Sequence, residues 1–129
     1  MYPIIACNAP MLAADIVGGL VIRNQTQYPV EVTMVAKGVR HTMQSKFVVR
    51  AEANGKITFA PNIPPTMGAS TPMEIQKTDA LLPKHKKITY QVNESFHYAY
   101  NQPGPSAIIT ISLRNKKQLS YTYQVGYEL

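Results

Sequence analysis

Apolar and polar side chains alternate along the C-terminal segment of the chain, and this alternation predicts a β-hairpin. The apolar positions are Ile109, Ile111, Leu113, Leu119, Tyr121, Tyr123 and Val125. Because successive side chains of a strand point to opposite faces, the pattern gives each arm one apolar and one polar face. A loop at 115–117 keeps the two apolar faces together. It pairs Leu113 with Leu119, Ile111 with Tyr121, and Ile109 with Tyr123 in a half-buried antiparallel sheet.

The rest of the chain shows the same alternation in short runs that are separated by turn signals. Strands are predicted at 16–23, 30–34, 41–51, 56–59, 73–77, 88–92 and 96–100. The short run at 73–77 is predicted to lie at a sheet edge, with a connection at 78–87. Asn93-Glu94 is predicted to separate the last two runs, and Gly18-Gly19 predicts a bulge or a close backbone approach.

Short strands with turn signals about every ten residues are typical of all-β sandwiches and barrels. A chain of 129 residues is large enough for one domain with its own core. We therefore predict a single-domain antiparallel β-sandwich of about eight or nine short strands over residues 16–129. Long Pro-rich connections at 60–72 and 101–106 favour the sandwich, because they suit strands that cross between sheets. A small β-barrel is the alternative.

An apolar N-terminal segment precedes the predicted sandwich. Residues 1–15 are predicted to form an extended arm, broken by Pro3 and Pro10 and uncharged before Asp15. Such a segment is costly to leave in water, so it either folds back on its own sheet or pairs with the sheet edge of a neighbour. The candidate assembly residues are Tyr2, Ile4, Ile5, Met11 and Leu12.

The same segment lacks the basic start and the uninterrupted apolar run of a secretory signal. No part of the chain is apolar enough over a sufficient length to span a membrane. The compartment is therefore left open, with secretion and association with a particle as the alternatives.

The charge balance points to an acidic partner. The formal net charge is +6, from 13 Lys and Arg against 7 Asp and Glu. Such a balance favours nucleic acid, anionic lipid or an acidic protein face as ligand. The densest basic residues are Lys84, Lys86 and Lys87 around His85, with Lys116 and Lys117 in the last turn. The alternative is that these lysines are solvated turn residues that discourage edge-to-edge aggregation.

The sequence contains no pattern typical of a catalytic or metal-binding site. His41, His85 and His97 are too widely spaced for a metal motif, and neither Cys-x-x-Cys nor Gly-x-Ser-x-Gly occurs. Cys7 is the only cysteine, so it cannot form a disulfide within the chain. We therefore predict that the chain is not an enzyme and takes no metal or cofactor.

The loop at 97–106 is the best candidate binding loop outside the lysine groups. Its residues Tyr98, Tyr100, Pro103 and Pro105 combine stiff aromatic area with a restricted backbone, and both properties help a binding tip. The alternative is that the two tyrosines finish an inward-facing strand. Two Asn-x-Ser/Thr triplets, at Asn24 and Asn93, lie in predicted turns and would accept glycans in a eukaryotic secreted chain.

Two functions follow from these patterns. The first is a non-catalytic structural or interaction domain that acts by protein–protein contact, with another protein or with copies of itself through the N-terminal arm. The second is a secreted recognition module, like a toxin or virulence factor, that binds membrane lipid or glycan through the basic and Tyr/Pro-rich loops. A nucleic-acid-binding barrel is a weaker third, because its aromatic residues share a face with core residues.

Overall fold

The computed structural model describes residues 16–37, 44–62, 70–100, 103–115 and 117–127. These residues form nine β-strands and one short 3-10 turn at Pro83–His85. The strands are β1 (Ile16–Val17), β2 (Leu20–Asn24), β3 (Val30–Lys37), β4 (Gln44–Ala51), β5 (Lys56–Phe59), β6 (Thr71–Leu82), β7 (Lys86–Tyr98), β8 (Ser106–Arg114) and β9 (Gln118–Gly126). None of the described residues belongs to a helix long and apolar enough to cross a membrane.

The strands form two packed sheets, which confirms the predicted all-β sandwich class. A four-stranded sheet has the order β9-β8-β2-β5, and a five-stranded sheet has the order β1-β7-β6-β3-β4. Buried aliphatic and aromatic side chains from both sheets make one core. Its largest fully buried members are Tyr98, Leu20, Ile22, Met34, Met73, Ile75, Ile109, Ile111 and Leu119.

The predicted C-terminal hairpin is confirmed in its register. Leu113 pairs with Leu119, Ile111 with Tyr121, and Ile109 with Tyr123. Leu119 is fully buried, whereas Tyr121, Tyr123 and Val125 are partly buried and pack against the core. The hairpin therefore supplies one side of the four-stranded sheet.

The predicted strand at 16–23 divides at Gly18-Gly19. β1 pairs in parallel with β7 in one sheet, and β2 pairs in parallel with β8 in the other, so the chain changes sheets between them. The expected close backbone approach is present, because a Cβ atom on Gly19 would lie 3.3 Å from the carbonyl oxygen of Phe59. Two parallel pairings thus interrupt an otherwise antiparallel fold.

The prediction of a short edge strand at 73–77 is wrong. β6 runs from Thr71 to Leu82 and lies inside its sheet, between β7 and β3. The polar residues Thr78 and Asp79 suggested a connection, but both are buried because strands flank them on each side. The carboxylate of Asp79 accepts a hydrogen bond from the Thr89 hydroxyl and lies 3.6 Å from Lys77 Nζ. These partners offset the cost of burying a charge.

The predicted separation at Asn93-Glu94 is also wrong. β7 continues from Lys86 to Tyr98, and its pairing with β6 changes register between Ile75 and Lys77. The inward-facing positions keep their alternation across this bulge, because Val92, Phe96 and Tyr98 are all buried. The polar run Asn93-Glu94-Ser95 therefore interrupts the apolar pattern without ending the strand. Of the predicted strand at 41–51, residues 41–43 lie outside the described part of the chain.

A buried asparagine joins the connections at one end of the sandwich. Asn24, at the end of β2, has only 2% of its surface exposed. Its side-chain amide nitrogen lies 2.7 Å from the Tyr28 carbonyl oxygen, 3.0 Å from that of Glu52 and 3.2 Å from that of Ala51. Its Oδ1 atom accepts a hydrogen bond of 2.9 Å from the Thr26 amide. The amide group therefore binds its own turn and the end of β4 in the other sheet.

Backbone hydrogen bonds extend this arrangement around the same end. Asn24 N–H donates to the carbonyl of Gly55, and Gln25 N–H donates to that of Ile111. Leu81 N–H donates to the carbonyl of Pro29, close to the end of β6. Four connections, at 25–29, 52–55, 83–85 and 115–117, therefore lie at one end of the sandwich, called the Asn24 end below.

The burial of Asn24 decides one question about modification. Of the two predicted glycan acceptors, Asn24 lies at the end of a strand with its amide enclosed, so a folded chain cannot carry a glycan there. Asn93 is exposed, within β7 rather than in a turn.

Replacing Asn24 by Ala is expected to lower the free energy of unfolding by about 3 kcal/mol, because buried carbonyls lose their donor. Urea denaturation followed by circular dichroism measures this change. The matched control is Asn93→Ala, which removes an exposed amide and is expected to change the free energy by less than about 0.5 kcal/mol. Equal effects of the two substitutions would contradict the structural role of Asn24.

Candidate functional site

The β6–β7 turn holds two consecutive basic residues in a left-handed backbone conformation. Lys84 has φ 62° and ψ 33°, and His85 has φ 60°. The Lys86 N–H donates to the Pro83 carbonyl and closes the turn. Positive φ at both central residues defines a type I′ hairpin turn, which normally contains Asn-Gly. A side chain in this conformation costs about 1–2 kcal/mol per residue, so the turn is locally strained.

The strained turn borders a shallow hollow that combines apolar and basic walls. The hollow has a volume of about 330 Å³ and is lined by Leu81, Leu82, Lys84, His85, Lys86 and Lys87. The two leucines are half buried, whereas the four basic residues are exposed. An anionic group could contact the ammonium groups while an attached apolar part lies against the leucines.

The β8–β9 turn lies beside the β6–β7 turn at the Asn24 end. The rings of Tyr90 in β7 and Tyr121 in β9 meet edge to face, with an interplanar angle of 73° and centroids 5.8 Å apart. Both strands run away from their turns, and each tyrosine lies four residues beyond a turn lysine, Lys86 or Lys117. At a strand rise of about 3.3 Å per residue, both turns extend roughly 13 Å past the ring contact.

The two predicted lysine groups therefore belong to one end of the molecule. Lys84, Lys86, Lys87 and Lys117 are all exposed there, and Lys116 lies outside the described residues. In the four connections of the Asn24 end the only acidic residue is Glu52, which is 3.0 Å from Arg50 Nε. By contrast, among the sequence segments that connect strands away from the Asn24 end, 60–70 and 99–105 carry no charged residue and 38–43 carries one Arg, Arg40. Positive charge is therefore concentrated at the Asn24 end.

The Tyr/Pro-rich loop lies at the opposite end of the sandwich. Tyr98 is 1% exposed, and its hydroxyl donates to the carbonyl of Pro61, so this tyrosine does finish an inward-facing strand. Burial raises the pKa of Tyr98, with a smaller contribution from Tyr100. Tyr100 is 39% exposed, and Pro105 accepts a hydrogen bond from the Gly18 amide.

The structure reduces the number of predicted loop residues that are accessible to a ligand. Tyr98 is part of the core and cannot contact a ligand, whereas Tyr100 and Pro103 are exposed. Residues 101–102 lie outside the described part of the chain. The structure therefore does not bring the Tyr/Pro-rich loop together with the basic turns, and one small ligand cannot contact both.

Tyr121 makes a polar contact between the sheets that the sequence did not indicate. Its hydroxyl donates to Glu94 Oε2 over 2.9 Å. Burial raises the pKa of Tyr121, and the hydrogen bond and negative charge of Glu94 raise it further. Glu94 was predicted to lie in a break between two strands, but it lies within β7, where it is half buried and faces β9.

The histidines are not assembled into a site in the described residues. His85 is exposed in the β6–β7 turn, and His97 is half buried in β7 with no hydrogen-bond partner for its buried Nδ1 among the described residues. Within the same part of the chain no three His, Cys, Asp or Glu side chains are grouped to hold a metal ion. His41, Cys7 and the candidate assembly residues Tyr2, Ile4, Ile5, Met11 and Leu12 lie outside the described residues, so the assembly arm stays a prediction.

Replacing the strained pair by Lys84→Asn and His85→Gly is expected to raise the free energy of unfolding by about 1–2 kcal/mol, because these residues adopt positive φ at lower cost. The shift of the urea midpoint at constant slope measures the gain. The control Lys86→Asn removes a neighbouring charge where φ is −86° and is expected to leave the midpoint nearly unchanged. A double variant that is no more stable than the native chain would contradict the assignment of strain.

Comparison of the chain with protein-family models, with curated proteins and with solved structures finds no match.

Proposed function

We propose that this chain is a non-catalytic binding domain that contacts an anionic lipid surface through the basic turns of its Asn24 end. The observation that carries this proposal is the strained type I′ turn at Lys84 and His85 beside the apolar wall of Leu81 and Leu82. Strained backbone persists where the surrounding structure enforces it, and such positions cluster at functional sites. In this turn the residues with the strained backbone are the basic Lys84 and His85.

Two features of the turn support lipid as the ligand. A lysine close to an anionic membrane contributes about 1 kcal/mol of attraction, and several exposed lysines act together at the Asn24 end. Apolar side chains that lie beside basic ones can enter the boundary between headgroups and acyl chains. Leu81 and Leu82 offer such a surface because the hollow exposes part of each.

The same features favour lipid over nucleic acid. Single-stranded nucleic acid binds to basic grooves that also contain aromatic platforms for its bases. The hollow contains no aromatic residue except His85, and the nearby Tyr90 ring is engaged by Tyr121. Nucleic acid and glycan are therefore outcomes that the experiment has to distinguish from lipid.

The test is sedimentation of the full chain with vesicles of neutral phosphatidylcholine, alone or mixed with phosphatidylserine. We expect binding only to the acidic vesicles, with an affinity that falls as salt is added. Lys86→Glu is expected to weaken binding by roughly tenfold or more, since a favourable charge becomes an unfavourable one.

The matched control is Lys46→Glu, which makes the same charge change on the exposed edge strand β4. It is expected to bind nearly as well as the native chain. Equal losses for the two variants would indicate a general effect of net charge and contradict a site at the Asn24 end. Stronger binding to single-stranded RNA or to a sulfated glycan than to acidic vesicles would assign the basic turns to that ligand instead.

A further inference from the structure

The outer strands of the two sheets differ in how well they are protected against pairing with another chain. A strand at a sheet edge presents unpaired N–H and C=O groups, and proteins shield such edges with short strands, charges, prolines or bulges. β1 contains two residues, and β5 contains four and begins with Lys56. β4 carries Lys46 and Arg50. β1 covers only the last two residues of β7, His97 and Tyr98. The uncovered part of β7 carries Lys86, Lys87 and a bulge.

β9 has none of these protective features. It extends over nine residues, Gln118–Gly126, and its sequence QLSYTYQVG contains no charge and no proline. Its pairing with β8 proceeds without a register shift, so the strand has no bulge. Among the described strands, β8 is the only neighbour of β9 in the sheet, so the other edge of β9, called the open edge below, has no strand partner among them.

We infer that the open edge of β9 binds the same edge of a second copy of this chain. In this dimer the two β9 strands are antiparallel and related by a two-fold axis at Thr122. Thr122 then lies opposite its counterpart, Tyr121 opposite Tyr123, and Leu119 opposite Val125. The two four-stranded sheets join into one continuous sheet. The inference concerns an assembly surface and does not depend on the proposed lipid site.

The register is supported by the faces of the strand. Leu119, Tyr121, Tyr123 and Val125 all point toward the core, and the pairing places core-facing residues only against core-facing residues. Directly opposed side chains of an antiparallel pair share a face, so no apolar side chain is turned toward water. The partly buried Tyr121, Tyr123 and Val125 are further covered by their counterparts.

The charges also favour an antiparallel second copy. Arg114 and Lys117 lie at one end of the hairpin, whereas the Gly126 end of β9 carries no basic residue and is followed in the sequence by Glu128. Antiparallel pairing places the basic turn of one copy beside the end of the other copy's β9 that carries no basic residue. A parallel arrangement would bring the two basic turns together, which a chain of net charge +6 disfavours.

The test uses position 122, because only a symmetric pairing places this residue opposite itself. Thr122→Lys and Thr122→Glu are made in the full chain, and dimerisation is measured by sedimentation equilibrium from roughly 1 µM to 500 µM. We expect a dimer of the native chain and a dissociation constant at least about tenfold higher for each variant alone, because like charges lie opposite each other. An equimolar mixture of the two variants is expected to restore dimers.

The control is Thr58→Lys, which places the same charge on the exposed face of β5, at the far edge of the same sheet. It is expected to dimerise like the native chain. Circular dichroism establishes that each variant is folded, and slower amide exchange in β9 at higher concentration gives an independent measure of pairing.

Three results would overturn the inference. A native chain that stays monomeric throughout the range means that no second copy occupies the edge. Dimers that withstand both substitutions at position 122 place the contact elsewhere. A mixture of the two variants that fails to dimerise excludes the symmetric register.

Discussion

The hydrogen bonds of the Asn24 side chain are the constraint on which the arrangement of the sandwich depends. A buried amide is stable only when its donors and acceptor are satisfied, and Asn24 meets this condition with four groups from two places in the chain. Two groups, of Thr26 and Tyr28, belong to its own turn, and two, of Ala51 and Glu52, belong to the chain at the end of β4 in the other sheet. The amide therefore fixes the sheets relative to each other at a point where apolar packing has no directional preference.

This constraint positions the basic turns. Asn24 holds the β2–β3 connection. In this connection the Pro29 carbonyl accepts a hydrogen bond from the Leu81 N–H, and the Gln25 N–H donates one to the Ile111 carbonyl. Both bonds lie just before a basic hairpin turn. The lysines at the tips thus project from anchored strands, and a rigid support of this kind can maintain a strained conformation at Lys84 and His85. The hydrogen bonds at the strand ends therefore stabilise the molecule where the β6–β7 turn adopts its unfavourable left-handed backbone.

Much of the fold could be predicted from side-chain alternation, and the exceptions have identifiable physical causes. The register of the C-terminal hairpin followed from Ile111 and Tyr121 because one face is buried and a slip by one residue would expose it. The length of β6 could not be predicted, since Asp79 reads as a turn residue until its partners from neighbouring strands are known. The continuity of β7 was hidden by the polar run Asn93-Glu94-Ser95, which interrupts the apolar pattern without ending the strand.

The candidate site could also be predicted only in part from the sequence. The lysine groups were visible in the sequence, but their adjacency depends on the contact between Tyr90 and Tyr121, which are far apart in the chain. The left-handed backbone at Lys84 and His85 carries no sequence signal, because Asn and Gly normally occupy such positions. The burial of Tyr98 could be weighed only as an alternative, since alternation alone does not show where an inward-facing strand ends.

The parallel pairing of β2 with β8 has a consequence for the order in which the chain folds. Leu20 pairs with Ala107, so the two strands are separated by most of the chain. Contacts of such high sequence separation form slowly because a long loop must close first. The β8–β9 hairpin closes over a short loop and can form by itself as soon as it is synthesised. During translation, β2 can pair with β5 as soon as residues 56–59 emerge, but its other edge must wait for β8 until the last hairpin is synthesised.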